Sequence, residues 1–388
     1  MFFLALALAV APLAIALYAY IGYPIILRLA GKRIPSHVSA DTRDHLPLVT
    51  ITVPVYNAAS TIRGTLERLL DLDYPRESLQ LLVVSDASND GTDDVVRQLS
   101  GRGIELLRMP ERKGKTAAEN ASLEVARGEI IVNVDATVLV PRDSLKPLIR
   151  AFDDPTVGVA SGRDLSVGNA SAHTTGAESR YVGYEMWVRD LETRLGSIVG
   201  ASGCFYGFRR CIHASPLPFD LSWDFASALV ARQLGYRSVS VPEAICFVPR
   251  TAEIRTEVRR KVRTMARGLR TLFYHRSLMD PRRYGWFSFM LISHKLLRWV
   301  PYLLAPVAVI SLAVLAADSI VARGLAALIV AGTLGGIISM RHQGPSSLKP
   351  IAFAGFILAA FSAGFLAWCD ALRNAQMATW EPTPRPGS

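Results

Sequence analysis

Asn57, Asp86 and Asp135 stand at or just beyond the ends of three apolar, β-branched runs, Leu48–Val55, Leu79–Ser85 and Ile130–Val134. Between the second and third lies the basic turn Arg112-Lys113-Gly114-Lys115. Lys115 opens a helical run, and helix N-termini favour anions. Each feature also has a plainer reading. Asp86 and Asp90 lie in Asp86-Ala87-Ser88-Asn89-Asp90-Gly91, and such residues are what a tight turn needs anyway. The basic turn could simply be solvated. Asp135 is harder to dismiss, because it follows a buried strand directly. Taken together and in this order, these residues describe a clamp for a phosphate-bearing ligand rather than unrelated turns.

The elements that must position them alternate along the chain. After the strand at Leu48–Val55 comes a helical run Thr61–Leu72 with Ser60 placed to cap it. Leu79–Ser85 is a second strand, a helix begins near Thr92, and Ile104–Arg108 is a third strand. Lys115–Arg127 reads as a helix stopped by Gly128 in the C′ position, before the fourth strand Ile130–Val134. This alternation predicts an α/β fold with a mostly parallel sheet and helices on both faces. In such sheets ligands bind beyond the carboxyl ends of the strands, which is where Asn57, Asp86 and Asp135 fall.

The 388 residues are half apolar with a net charge of +10, and both properties are unevenly spread. Phe2–Leu27 carries no charge, and at about 1.5 Å per residue it outreaches a bilayer core of about 30 Å. It lacks a basic leader and is too long for a signal peptide. Trp299–Ala317, Gly324–Met340 and Ile351–Cys369 are also uncharged; the second is short and glycine-rich, so a re-entrant segment is the alternative to a span. These runs exclude an ordinary soluble enzyme. Arg28, Lys32 and Arg33 follow the first run, which puts the central domain on the cytoplasmic side. With four crossing segments the loop Arg341–Lys349 would be cytoplasmic too. Cys204, Cys211, Cys246 and Cys369 show neither disulfide nor zinc spacing. Ten Lys/Arg against Glu257 and Asp280 give +8 between Arg255 and Arg283, with Val258, Val262, Met265, Leu269 and Leu272 at helical steps. A basic helix with an apolar stripe before a membrane segment is expected at a lipid surface rather than on nucleic acid.

The ordered motifs resemble those of family 2 glycosyltransferases, inverting enzymes of GT-A fold that use nucleotide-diphosphate sugars. The resemblance covers about Val49 to Thr271. Val53-Pro54-Val55-Tyr56-Asn57 looks like the first nucleotide-binding strand, and Ser85 to Thr92 like the second, whose first aspartate contacts the base. Lys113-Gly114-Lys115 with Asn120 matches the next block, and Gly128 to Thr137 occupies the metal-binding Asp-x-Asp position. Gly203 to Arg210 looks like the acceptor-side block, Trp223-Asp224 sits where the family has Glu-Asp, and Arg260-Lys261-Val262-Arg263-Thr264 where processive members have Gln-x-x-Arg-Trp.

The resemblance implies roles. Pro54, Tyr56, Asn57, Asp86, Asp90, Lys113, Lys115, Asp135, Arg260 and Arg263 would bind the donor. Asp135 and Thr137 would hold Mg²⁺ or Mn²⁺, and Gly203, Cys204 and Trp223 would face the acceptor. Asp224 would be the general base; its plainer reading is a cap for the helix that follows. Thr137 replaces the second aspartate, Trp223 replaces an acid, and the Arg-x-x-Arg-Thr segment lacks the Gln and Trp of processive synthases. The implied organisation is an anchor (residues 1–30), a cytoplasmic GT-A domain (48–253), a basic interfacial segment (254–298), C-terminal membrane helices (299–369) and a tail (370–388), disordered from Thr379. The implied activity is transfer from a nucleotide-diphosphate sugar, with a UDP-sugar expected, to a lipid-linked or growing polysaccharide at the inner membrane. Membrane lipids and other polysaccharide-assembly subunits are the implied partners. The rivals are a processive synthase that translocates its product, a catalytically inactive scaffold subunit, and, last, a tethered nucleic-acid binder.

Overall fold

The computed structural model describes residues 1–31, 46–167, 173–249, 254–341 and 349–373. Most of the expected linker Ser36–Pro47, the loop 342–348 and the tail from 374 lie outside them. The chain divides into two compact units, Met1–Ile26 with Glu253–Ala375, and Leu27–Ala252. It begins with α1 (Phe2–Leu17), a π-helical segment Tyr18–Gly22 and α2 (Tyr23–Ala30), which run on as one helix of 29 residues.

The second unit contains β1 (Val49–Val55), α3 (Ile62–Leu70), β2 (Leu79–Ser85), α4 (Thr92–Arg97), β3 (Ile104–Arg108), α5 (Lys115–Val125) and β4 (Ile130–Val134). These are followed by α6 (Leu145–Arg150), β5 (Val157–Val167), α7 (His173–Arg194), β6 (Phe205–Arg209), α8 (Trp223–Gln233) and β7 (Arg237–Pro249). The seven strands form one sheet in the order β3-β2-β1-β4-β6-β5-β7. β1 pairs in parallel with β2 and β4, and β2 with β3, while β6 runs antiparallel between β4 and β5. The chain steps outward from β1 to β3, then returns to β4 on the other side of β1. That reversal opens a crevice at the carboxyl ends of β1 and β4.

Every residue of β1 is buried, as a central strand covered on both faces must be. Its alternation splits the core. Val49, Ile51, Val53 and Val55 face one layer with Ile62, Leu66 and Leu69 of α3 and Leu145 and Leu148 of α6. The other face is partly polar: the Thr50 hydroxyl donates to the Gln80 amide oxygen (2.8 Å), and that of Thr52 to the Asn133 amide oxygen. There α5 packs through Ala117 and Ala118 onto Leu82 and Val84. Pro54 is tolerated in β1 because pairing with β4 ends at Thr52.

Two boundary expectations change. The cap position of α3 is Thr61, not Ser60, and no side chain caps it; the Ile62 amide bonds the Ala58 carbonyl instead. α5 ends at Val125, and Gly128 is not its left-handed terminator. Gly128 passes beneath β1, its amide donating to the Thr50 hydroxyl (2.8 Å). A Cβ there would lie 2.4 Å from the Thr50 nitrogen and 2.8 Å from the Val49 carbonyl carbon.

In the first unit α9 (Ile254–Tyr274) is followed by α10 (Pro281–Tyr284), α11 (Trp286–Leu291), a second π-helical segment Ile292–Leu296, α12 (Leu297–Leu315), α13 (Ile320–Arg341) and α14 (Lys349–Leu372). Among the described residues four helices are long and apolar enough to cross a membrane: Phe2–Ala30, Trp286–Leu315, Ile320–Ser339 and Phe353–Leu372. The second begins at Trp286, ahead of the expected Trp299, because Lys295 and Arg298 do not interrupt the helix. Arg298 is buried with its guanidinium 5.0 Å over the Tyr20 ring, and the Tyr18 and Ser293 hydroxyls lie 2.9 Å apart. The two π-helical segments thus face each other through polar contacts. Ile320–Arg341 is one continuous helix, so the re-entrant alternative gives way to a segment of spanning length. The C-terminal part of the α9 stripe is covered by protein: Leu269 and Leu272 are fully buried, Phe273 packs on Trp368, and Arg270 donates to the Asp370 carbonyl (3.1 Å), while Val262 and Met265 are half-buried.

Gly128→Ala is expected to destabilise the full-length protein by about 1–3 kcal/mol, as overpacking against rigid backbone does. Thermal or urea unfolding in detergent measures it, and an unchanged midpoint would contradict the close approach to β1.

Candidate active site

The loops after β1 and β2 are sewn together before any ligand arrives. Asn57, at φ 46°, exchanges side-chain and backbone bonds with Asn89: its amide nitrogen donates to the Asn89 side-chain oxygen (2.9 Å) and its oxygen accepts from the Asn89 backbone (2.9 Å). Asp90 accepts from the Ala59 amide (3.0 Å), from the Thr92 amide (3.0 Å) and from the Thr92 hydroxyl. Asp90 therefore ties the start of α4 to the β1 loop. Burial opposes its charge, but the bonds from Thr92 and Ala59 outweigh that and hold its carboxyl below the ordinary value.

Asp86 is buried, and its two oxygens accept from the Lys113 amide (2.7 Å) and the Gly114 amide (2.8 Å). Gly114 has φ 91°, a conformation that favours glycine, and α5 starts on the next residue. Asp86 thus fixes the turn that delivers Lys115. Lys113 itself pairs with exposed Glu111 (2.6 Å). Beside this turn the Arg112 guanidinium lies 3.9 Å over the half-buried Tyr56 ring.

Lys115 reaches across the carboxyl end of β4. Its Nζ donates to Asp135 Oδ1 (2.6 Å) and to the Gly203 carbonyl (3.3 Å), and lies 3.7 Å from Glu119 Oε1. Burial disfavours the ammonium, but Asp135, Glu119 and Asp224 reverse this, and its pKa is raised. Asp135 is 37% exposed; Glu119 is buried and accepts from the Asn133 side-chain amide (3.2 Å), which also donates to the Tyr206 hydroxyl (2.8 Å). Thr137, half-buried, follows in the turn closed by the Val138 amide on the Asp135 carbonyl (2.9 Å).

α5 also places the last acid. Thr116 donates to the Leu221 carbonyl (2.8 Å), and Asn120 clasps Leu217 through both its carbonyl (2.7 Å) and its amide (3.0 Å). The Trp223 indole donates to Asn120 (3.1 Å) and packs on His213 and Phe208. Asp224 is thereby the second residue of α8, past the Ser222 cap position, and accepts from the Ser222 hydroxyl rather than capping the helix. A Cβ on Gly203 would lie 3.1 Å from Asp224 Oδ2, so the absence of a side chain there lets the carboxylate approach. Next to Gly203, the Cys204 carbonyl accepts from the Asp135 amide (3.2 Å).

The structure therefore gathers Lys115, Asp135, Thr137, Gly203, Cys204 and Asp224 in one place, with Tyr56 on the neighbouring loop. Pro54 and Trp223 are buried in the fold, and Asn57, Asp86 and Asp90 spend their side chains on loops. Arg260 and Arg263 lie on α9, in the other unit. Glu119 escaped the sequence reading, although its place four residues after Lys115 was a usable signal. Among the described residues no three His, Cys, Asp or Glu side chains form a ready metal cage. A hollow of about 370 Å³ lined by Arg127, Glu129 and Arg210 lies at the opposite, amino end of β4 and shares none of these groups.

Residues 50–214 match the family described as Glycosyl transferase family 2. An N-acetylglucosaminyltransferase of Rhizobium sp. (strain N33) is 25% identical over 259 residues, 61% of this chain and 56% of that one. A poly-beta-1,6-N-acetyl-D-glucosamine synthase of Staphylococcus aureus (strain COL) is 25% identical over 215 residues, 54% and 52% of the two chains. The chain thus spans about half the length of these relatives. A mannosyltransferase from Pyrobaculum calidifontis, solved in complex with GDP-Man and Mn²⁺, superposes with a TM-score of 0.74 at 26% identity, covering 95% of this chain and 99% of that one.

Asp90→Ala is expected to cost about 1 kcal/mol at neutral pH, the usual scale of losing the hydrogen bonds that tie two loops. Because the folded pKa is lowered, that contribution is present above the unfolded value of about 3.9 and fades as pH falls through the folded one. Urea unfolding at pH 7 and near pH 3 should show the gap between the two proteins closing with acid; a constant gap would contradict it.

Proposed function

We propose that this chain is a membrane-bound inverting transferase of glycosyl transferase family 2, the family whose model matches residues 50–214. It moves a sugar from a nucleotide-diphosphate donor to a lipid-linked or growing polysaccharide acceptor. The observation that carries the reading is the juxtaposition of Lys115, Asp135 and Asp224 at the carboxyl ends of the strands, next to Gly203. A UDP-sugar is the expected donor, and the GDP-mannose of the Pyrobaculum enzyme is the other candidate. The run of Arg28, Lys32 and Arg33 after the first span supports a cytoplasmic catalytic unit at the inner membrane, in reach of membrane lipids and other assembly subunits.

The chemistry follows from what each group has left to offer. Departure of a nucleoside diphosphate builds negative charge, and Lys115 supplies a fixed positive one beside it. Asp135 and Thr137 offer hard oxygens for Mg²⁺ or Mn²⁺, and such ions commonly take one or two carboxylates and draw further ligands from substrate phosphates. One carboxylate and one hydroxyl fit that pattern. Neutralisation of the leaving diphosphate is the chemistry the cation supplies when bound. Asp224, not consumed as a helix cap, takes the proton of the acceptor hydroxyl as it attacks the anomeric carbon from the face opposite the diphosphate. Pairing with Ser222 orients its carboxylate.

Nucleoside-diphosphate release should be followed in lipid-reconstituted protein, across UDP- and GDP-sugars with membrane lipid extract as acceptor source. One donor should turn over, with loss on EDTA and a fall of about 10²–10⁴ in Asp224→Asn. Turnover untouched by Asp224→Asn would remove that residue from the role of base, and silence with every donor would sink the transferase reading.

A further inference from the structure

The place a divalent cation would need on Asp135 already holds a positive charge. Lys115 Nζ bonds Asp135 Oδ1 at 2.6 Å, lies 3.7 Å from Glu119 and donates to the carbonyl of Gly203 (3.3 Å), the glycine against which Asp224 packs. One ammonium thus bridges two carboxylates, with a third beside the glycine it bonds. Glu119 is the buried one, immobilised by Asn133. The root of the lysine is equally fixed, because Asp86 holds the Lys113 and Gly114 amides at the start of α5. Its head is not: a Lys ammonium is a compact charge on a flexible four-carbon stem, with three donors that can turn to a new acceptor. The Lys115 side chain as a whole is 26% exposed.

A cation arriving alone would have to sit beside this ammonium, on a carboxylate whose Oδ1 the ammonium already holds, and the described residues offer it no cage of three acids or imidazoles. A cation arriving with a diphosphate meets a different balance. The phosphate oxygens provide ligands for the metal and, at the same time, an anionic acceptor for Lys115.

We propose that Lys115 is a place-holder: in the unliganded protein its ammonium occupies the cation position on Asp135, and the donor's diphosphate draws it away so that metal and donor enter together. This role rests on the transferase reading of Asp135. It makes Lys115 a positioning residue that couples two ligands, and the coupling must be reciprocal: the diphosphate tightens the metal by the factor by which the metal tightens the diphosphate.

The test is Mn²⁺ binding without turnover, followed by electron paramagnetic resonance on the full chain in nanodiscs, with Mn²⁺ alone and with added UDP or GDP. The wild type should bind Mn²⁺ at least tenfold more tightly with one of the nucleotides than without. Lys115→Met and Lys115→Gln should bind Mn²⁺ alone at least tenfold more tightly than the wild type, and the gain on adding nucleotide should shrink. Unfolding midpoints of both variants check that they are folded. Should neither fold, the wild-type comparison alone decides, since equal Mn²⁺ affinity with and without nucleotide overturns the place-holder. Variants that bind bare Mn²⁺ no better than the wild type, while Mn²⁺ with nucleotide still binds, also overturn it and leave the transferase reading standing. No Mn²⁺ binding under any condition defeats both.

Discussion

A lysine ammonium bridging Asp135 and Glu119, with Asp224 beside the neighbouring glycine, is the interaction around which the α/β unit is arranged. Removing a charge from water is costly unless it is paired and hydrogen-bonded, so each group at this node has a dedicated support. Glu119 is held by Asn133, which in turn accepts from Thr52 and donates to Tyr206, linking β1, β4 and β6 beneath the site. Asp135 keeps its backbone amide on the Cys204 carbonyl. Asp224 comes close because Gly203 has no side chain. The α5 helix joins these supports: its first turn carries Lys115, its second carries Glu119 and Asn120, and Asn120 secures the segment that leads to Asp224.

Acidic residues near the crevice accordingly divide into two kinds. Asp86 and Asp90 give their oxygens to backbone amides and shape the turns. Asp135 and Asp224 face other side chains, Lys115 and Ser222, and such partners can be exchanged without unfolding a loop. Satisfied backbone donors are expensive to release, whereas an ammonium on a flexible stem can turn to a new acceptor. The division separates acids that shape the rim of the crevice from acids held by other side chains, and residues of the same type a few positions apart are expected to differ when replaced.

Much of this was legible in the sequence. The first four strands were visible because parallel strands buried on both faces form continuous apolar runs, and the ends of those runs pointed to Asp86 and Asp135. β5, β6 and β7 carried no comparable signal. β6 is inserted antiparallel between the two strands that precede it in the chain, β4 and β5, and the pattern of β7 alternates between buried and half-buried. Gly128 was misread for a related reason: a glycine after a helix ordinarily ends it, and only tertiary contact shows that this one must clear the backbone of β1. Glu119 was hidden because a glutamate in a helix reads as solvated until the neighbouring strand is known to place Asn133 beneath it.

The membrane helices show the same limit in another solvent. A search for uncharged runs cuts the helix Trp286–Leu315 at Lys295 and Arg298, since a charge in hydrocarbon should be excluded. The criterion fails because the helix does not present Arg298 to lipid. Its guanidinium is covered by Tyr20 of the first helix, where a π-helical segment on each side rearranges the local spacing of side chains. Tyr18 and Ser293 add a hydrogen bond to the same seam. Neither helix contains an aspartate or glutamate, so aromatic faces and hydroxyls are the partners available in this pair for the charge. Charge in a membrane segment is therefore evidence about its neighbours before it is evidence against a span, and a sequence read one segment at a time cannot supply those neighbours.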